Sequence, residues 1–95
     1  MDRFKKEYYV KEANILKALS HPTRLLIIDM IQNKEFCVCE LQQKIGDDIS
    51  TVSKHLSVLK NAGLVNTKRK GKWIYYTLTF PCIVNFLRCI KGVVK

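Results

Sequence analysis

Cys37-Val38-Cys39 sets two thiols one residue apart, and Cys82 and Cys89 add two more near the end of the chain. Thiolates are soft donors that hold As(III), Cd(II), Pb(II), Zn(II) and Cu(I) well. Two of them are few for a three-coordinate soft ion. A third ligand has to come from elsewhere, and Cys82 and Cys89 are the candidates, from the same or another subunit. The same atoms allow redox chemistry. Cys82 and Cys89 are seven residues apart, roughly 10 Å along a helix, too far to bridge each other. A pair between Cys37 or Cys39 and one of them stays open. So does a third use, because free cysteine is commonly a small buried hydrophobe.

The two histidines, His21 and His55, offer less. His21 precedes Pro22 at a helix start and suits a cap or a packing role better than a ligand role. His55 fits a nucleic-acid contact or a core contact. Neither has a partner for nucleophilic catalysis. With no paired carboxylates and no phosphate-binding glycine loop, the chain is not expected to be an enzyme.

These residues sit in 95 residues of ordinary globular composition, 47% hydrophobic and 26% charged. One domain over residues 1–95 is expected. No apolar run approaches the roughly 18 residues of a membrane span. The opening residues lead into no signal-peptide core, so the cytoplasm is the expected compartment and reduced thiols the expected state. The net charge is +9. Residues 1–48 carry 8 Lys/Arg against 8 Asp/Glu, whereas residues 49–95 carry 9 Lys/Arg and no acid. A one-sided excess of this kind attracts a polyanion, usually DNA or RNA.

The elements follow from periodicity. Phe4, Tyr8, Ile15, Leu16 and Leu19 fit a first helix over 4–19. Ser20-His21-Pro22 breaks it and starts a second helix, whose segment 25–31 is apolar nearly all round and therefore central. After short, apolar Phe36-Cys37-Val38-Cys39, a helix over 40–46 stops at Gly46. A longer helix over 50–61 has Val52, Leu56 and Leu59 on one stripe. Leu64–Thr67 and Trp73–Leu78 are β-branched and aromatic, with Lys70-Gly71 as the turn of a hairpin. Pro81 opens a last helix over 82–94.

Helices 40–46 and 50–61 form a helix-turn-helix candidate. Ser50, Thr51 and Ser53 are short hydrogen-bonding groups that let a helix approach base edges. Lys54 and Lys60 can meet phosphates, and His55 lies on the same helix. Lys68, Arg69, Lys70 and Lys72 cluster at the hairpin tip, where cations lie well along phosphates or in a minor groove. The expected fold is α+β: a winged helix-turn-helix of about five helices with a two-stranded hairpin wing.

Leu19-Ser20-His21-Pro22-Thr23-Arg24, Cys37-Val38-Cys39-Glu40-Leu41, Ser50-Thr51-Val52-Ser53-Lys54-His55-Leu56, Leu59–Val65 and Gly71-Lys72-Trp73-Ile74-Tyr75-Tyr76 together resemble the ArsR/SmtB winged-helix repressors. The resemblance covers nearly the whole chain. It implies a homodimer that represses transcription at palindromic double-stranded operator DNA. It also implies dimerisation through the first and last helices, here residues 4–19 and 82–94.

Cys37-Val38-Cys39 resembles the sensing motif of the arsenic- and cadmium-type members. That implies release from DNA by a thiophilic ion such as As(III), Cd(II) or Zn(II). Some members of the family sense persulfide or oxidant instead. Two departures stand out. Ile49 replaces a Gln that often precedes the Ser-Thr pair, and an aliphatic side chain cannot contact adenine bidentately. Gln42 stands where the arsenic-type motif usually carries its third Cys.

Overall fold

The computed structural model describes residues 4–94. A short 3₁₀ turn, Lys6–Tyr9, leads into α1 (Val10–Leu19). There follow α2 (Pro22–Ile31), β1 (Phe36–Cys37), α3 (Val38–Ile45), α4 (Ile49–Asn61), β2 (Val65–Lys70), β3 (Trp73–Leu78) and α5 (Ile83–Val93). Helical spacing alone suggests one unbroken first helix. Instead the chain leaves helical geometry at Tyr9 (φ −106°, ψ 0°). Tyr8-Tyr9-Val10 is a run of aromatic and β-branched residues, which favour helix weakly.

One apolar core gathers residues from every helix and from the sheet: Leu19, Ile27, Ile28, Leu41, Leu56, Leu59, Val65 and Leu87 among them. Ile27 and Ile28 are fully buried, as the apolar run of α2 requires. The sheet corrects the two-stranded expectation. It has three antiparallel strands in the order β1-β3-β2. The extra strand pairs Phe36 with Tyr76 and Cys37 with Tyr75. Two residues are too short to show a period of two, so nothing in their pattern announces a strand.

The hairpin is also longer than expected. Lys68, Arg69 and Lys70 are strand residues, and the turn is Gly71-Lys72. Gly71 has φ +61°, and among the described residues no non-glycine residue has positive φ. Glycine at the first of two turn positions is the pattern of a type II′ hairpin, whose twist matches the strands.

α1 and α5 leave an apolar surface uncovered. Leu16, Leu25, Phe86 and Ile90 line a groove between α1, α2 and α5, and Val93 is 81% exposed. The radius of gyration is 14.8 Å, against about 12 Å for a compact chain of this length. Among the described residues no helix is long and apolar enough to cross a membrane.

Candidate nucleic-acid interface

α4 starts because Asp48 caps it. The Asp48 carboxylate accepts from the Thr51 N–H at 2.9 Å. The Thr51 hydroxyl and N–H, with a smaller share from the Ser50 hydroxyl, hold that carboxyl below its ordinary range. Capping of this kind satisfies donors that have no partner inside the helix. It also uses the Thr51 hydroxyl, which lies half-buried beside it. The helix begins at Ile49, one residue before the expected start.

Val52, Leu56 and Leu59 then anchor α4 in the core, none more than 1% exposed. Opposite them Ser50, Ser53, Lys54, Ser57 and Lys60 are exposed. Among the described residues only Lys70 and Lys91 are held in ion pairs, so the ammonium groups of Lys54 and Lys60 face solvent unpaired. The result is a rigid rod with small hydroxyls and two uncommitted cations on its outer face.

His55 is not on that face. Its ring sits half-buried against His21, with centroids 4.3 Å apart and planes tilted by 44°. His21 is itself the cap of α2, its Nδ1 accepting from the Thr23 N–H at 3.0 Å. His55 is thus partly covered by a neighbouring ring and partly open to solvent. Burial first, then the charges of His21 and Arg24, push its imidazole below the ordinary value, opposed by Asp47.

The wing presents its cations individually braced. Arg69 Nε donates to the Gly71 carbonyl at 3.1 Å. Lys72 Nζ lies 5.6 Å from the centre of the Trp73 ring. Lys70 pairs with Glu35 and lies over the Tyr75 ring. Facing residues in an antiparallel pair share a side of the sheet. Lys68 opposite Tyr75 and Lys70 opposite Trp73 therefore share one side.

The cysteines divide. Cys37 is buried, while Cys39, Cys82 and Cys89 are exposed in the protomer. The idea that Cys82 and Cys89 fill the protomer core is thereby corrected, because α5 packs inward through Leu87 instead. Cys37 precedes the first residue of α3. Its N–H donates to Glu40 Oε1 at 3.0 Å. That N–H, and then the Cys37 thiol, hold the Glu40 carboxyl below its ordinary range. Cys37-x-x-Glu40 is thus a capping box with cysteine in place of serine or threonine. The spacing is visible in the sequence; the unusual cap residue conceals it. Among the described residues no three His, Cys, Asp or Glu side chains gather to hold a metal ion.

A three-stranded wing behind an exposed, capped second helix defines a winged helix-turn-helix, the DNA-binding unit of many transcriptional regulators. Residues 21–67 match the model of the bacterial regulatory protein arsR family. An HTH-type transcriptional regulator of Methanocaldococcus jannaschii is 39% identical, over 88% of this chain and 96% of that protein. The chain therefore belongs to the arsR family, a family of DNA-binding regulators rather than enzymes. The biofilm growth-associated repressor of Xylella fastidiosa is 48% identical over 70% of this chain. The match spans 59% of that repressor's length. The homodimeric winged helix-turn-helix DNA-binding domain of a Mycobacterium bovis protein superposes with a TM-score of 0.85 at 26% identity. That match covers 99% of this chain and 87% of the other. A cadmium resistance regulator homologue of Staphylococcus aureus and an arsenic resistance regulator of Pseudomonas putida are 39% and 37% identical.

Proposed function

We propose that this chain is a homodimeric transcriptional repressor that reads duplex operator DNA with α4 and grips the backbone with its wing. The observation that carries the proposal is the outer face of α4: exposed Ser50, Ser53, Lys54, Ser57 and Lys60 over a fully buried Val52-Leu56-Leu59 stripe. Ser50 and Ser53 are assigned to base edges; Lys54, which sequence alone gives to phosphate, is assigned with them because it is exposed beside Ser53 near the start of α4; Lys60 keeps its phosphate, and Thr51 holds the cap. Lys68, Arg69 and Lys72 form the sequence-independent grip, and Lys70, paired with Glu35, joins it only when that pair opens. A second copy covers the apolar surfaces of residues 4–19 and 82–94. Two-fold pairing then sets two α4 helices for a palindromic site. The homodimeric Mycobacterium bovis domain supports this arrangement. Action on operator DNA is in keeping with a cytoplasmic protein.

The release signal we infer acts at Cys37 and Cys39. The cadmium and arsenic regulators among the relatives support a thiophilic ion such as As(III), Cd(II) or Zn(II). A soft ion bound to the Cys37 sulfur displaces its proton and with it the thiol contact to Glu40. That removes one of the two bonds Glu40 receives from Cys37 at the start of α3, the first helix of the helix-turn-helix, and gives the differential contact that release requires. A second reading has its own observation. Among the described residues no third ligand gathers beside Cys37 and Cys39, while Cys82, at the start of α5, and Cys89, on it, stand exposed. Exposed thiols in both regions leave a thiol redox switch between Cys39 and Cys82 or Cys89, driven by an added oxidant such as peroxide, as the second reading.

A duplex selected from a random pool, bound with and without As(III), Cd(II), Zn(II) and a peroxide, tests both. Cys37→Ser and Cys39→Ser are expected to bind DNA as the parent does and to lose release, because serine is a poor soft-metal ligand. Cys82→Ser and Cys89→Ser decide whether α5 contributes. Release of every variant by each reagent would refute thiol sensing. It would put the entry point of the signal elsewhere, whereas a parent released by none of the reagents would be a constitutive DNA-binding module with structural cysteines.

A further inference from the structure

The acidic residue closest to the wing's work is not in the wing. Residues 49–95 contain no Asp or Glu. Yet the Lys70 ammonium is paired with the carboxylate of Glu35, at the approach to β1. The sheet register explains how they meet. Cys37 faces Tyr75, so Glu35, two residues earlier, falls on the same side of the sheet as Cys37, Tyr75, Lys68 and Lys70. The Tyr75 ring centre lies 5.3 Å from Lys70 Nζ and supports the ammonium from the sheet. Only 23% of the Glu35 side chain is exposed, against 53% for Lys70.

We propose that Glu35 is a built-in competitor for DNA phosphate: it occupies Lys70 and removes one backbone contact from the wing of each protomer. The inference rests on the DNA-binding reading above. A carboxylate and a phosphate oxygen ask the same thing of an ammonium group. Lys70 therefore serves a phosphate only when Glu35 gives it up. The Lys70 bond holds the Glu35 carboxyl below its ordinary range, and the Lys68 charge adds to this. The same bond raises Lys70. Both groups thus stay charged at neutral pH. The active grip is then Lys68, Arg69 and Lys72, with Lys70 in reserve. Glu35 becomes an affinity-setting residue that touches no DNA.

The test is duplex binding by the full chain across a salt series, with Glu35→Gln, Lys70→Gln and both together. Freeing one phosphate contact steepens the log–log salt slope by about 0.9 per protomer. At 0.1 M salt, relative to 1 M, this tightens binding about eightfold per protomer. Lys70→Gln is expected to change little while Glu35 is present and to erase the gain when it is absent. Asp29→Asn controls for the added charge, since Asp29 pairs with Lys91 at 2.5 Å on the α2–α5 side. It should leave the slope unchanged. A Glu35→Gln slope equal to the parent's, or a Lys70→Gln loss of the same size in both backgrounds, overturns the inference alone. A parent that binds no duplex overturns the DNA-binding reading and the inference with it.

Discussion

In the proposed reading α4 and the wing bring cations to the same polyanion, yet the chain holds them in opposite ways. α4 is anchored from below: three aliphatic residues are buried and Asp48 fixes the first turn. Its lysines are left without ion pairs. The wing has little beneath it. Of β2 only Val65 is buried, and the wing's charged groups are braced by each other's neighbours: Arg69 on Gly71, Lys72 on Trp73, Lys70 on Glu35. A reader of base edges must be placed to within a fraction of an ångström, and core packing does that. A phosphate grip needs only charge within reach, and its strength can be trimmed by a carboxylate.

The largest expected effect separates the two by stability. Leu56→Ala removes a fully buried side chain under α4 and should cost about 2–5 kcal/mol. The matching wing change, Ile74→Ala, starts from a side chain 45% exposed and should cost under about 1 kcal/mol. Urea unfolding of both variants measures the contrast, and equal losses would erase it.

The next effect separates them by salt. Replacing Lys68, Arg69, Lys70 and Lys72 with Gln should weaken binding to all sequences alike. With Lys70 held by Glu35, the slope should flatten by about 2.7 per protomer, not the roughly 3.6 of four free cations. Lys54→Ala and Ser53→Ala should act differently, lowering discrimination between selected and random duplex by about 1–3 kcal/mol for a lost base contact. Far-UV circular dichroism should be unchanged. If these two variants lost affinity for every duplex equally, α4 would be a grip like the wing.

The smallest effect concerns acid. His55 has a folded value below the ordinary one of about 6.5. Below that pH the unfolded chain takes up a proton that the folded chain still refuses. Stability is therefore full above about 6.5 and declines as pH falls toward the folded value. Asp48, Glu35 and Glu40, also depressed, lose their contributions only further down, below about 4.5. The urea midpoint should drop modestly between pH 7.5 and 5.5, and His55→Gln should flatten that drop.

Most of this was legible in the residues. The α4 stripe, the hairpin, the central α2 and the basic second half follow from period and charge. What escaped was short or borrowed. β1 is two residues long and exists because β3 offers an edge. Cys37 caps α3 although cysteine is not a usual cap, and Asp48 caps α4 by accepting from the Thr51 N–H. His55 lies half-buried against the ring of His21, 34 residues away in the chain, a contact that local pattern does not reveal. The Glu35–Lys70 pair joins residues 35 apart, a distance that local pattern does not cover.

The central claim is that two copies of α4 read a symmetric duplex. Selection from a random double-stranded pool by the full-length protein tests it most directly. The account predicts enrichment of a two-fold-symmetric site with half-sites about 10 base pairs apart, centre to centre. Lys54→Ala should lose that enrichment and keep its salt-dependent affinity. A pool that stays random while the protein binds it, or enrichment unaltered in Lys54→Ala, would contradict the claim.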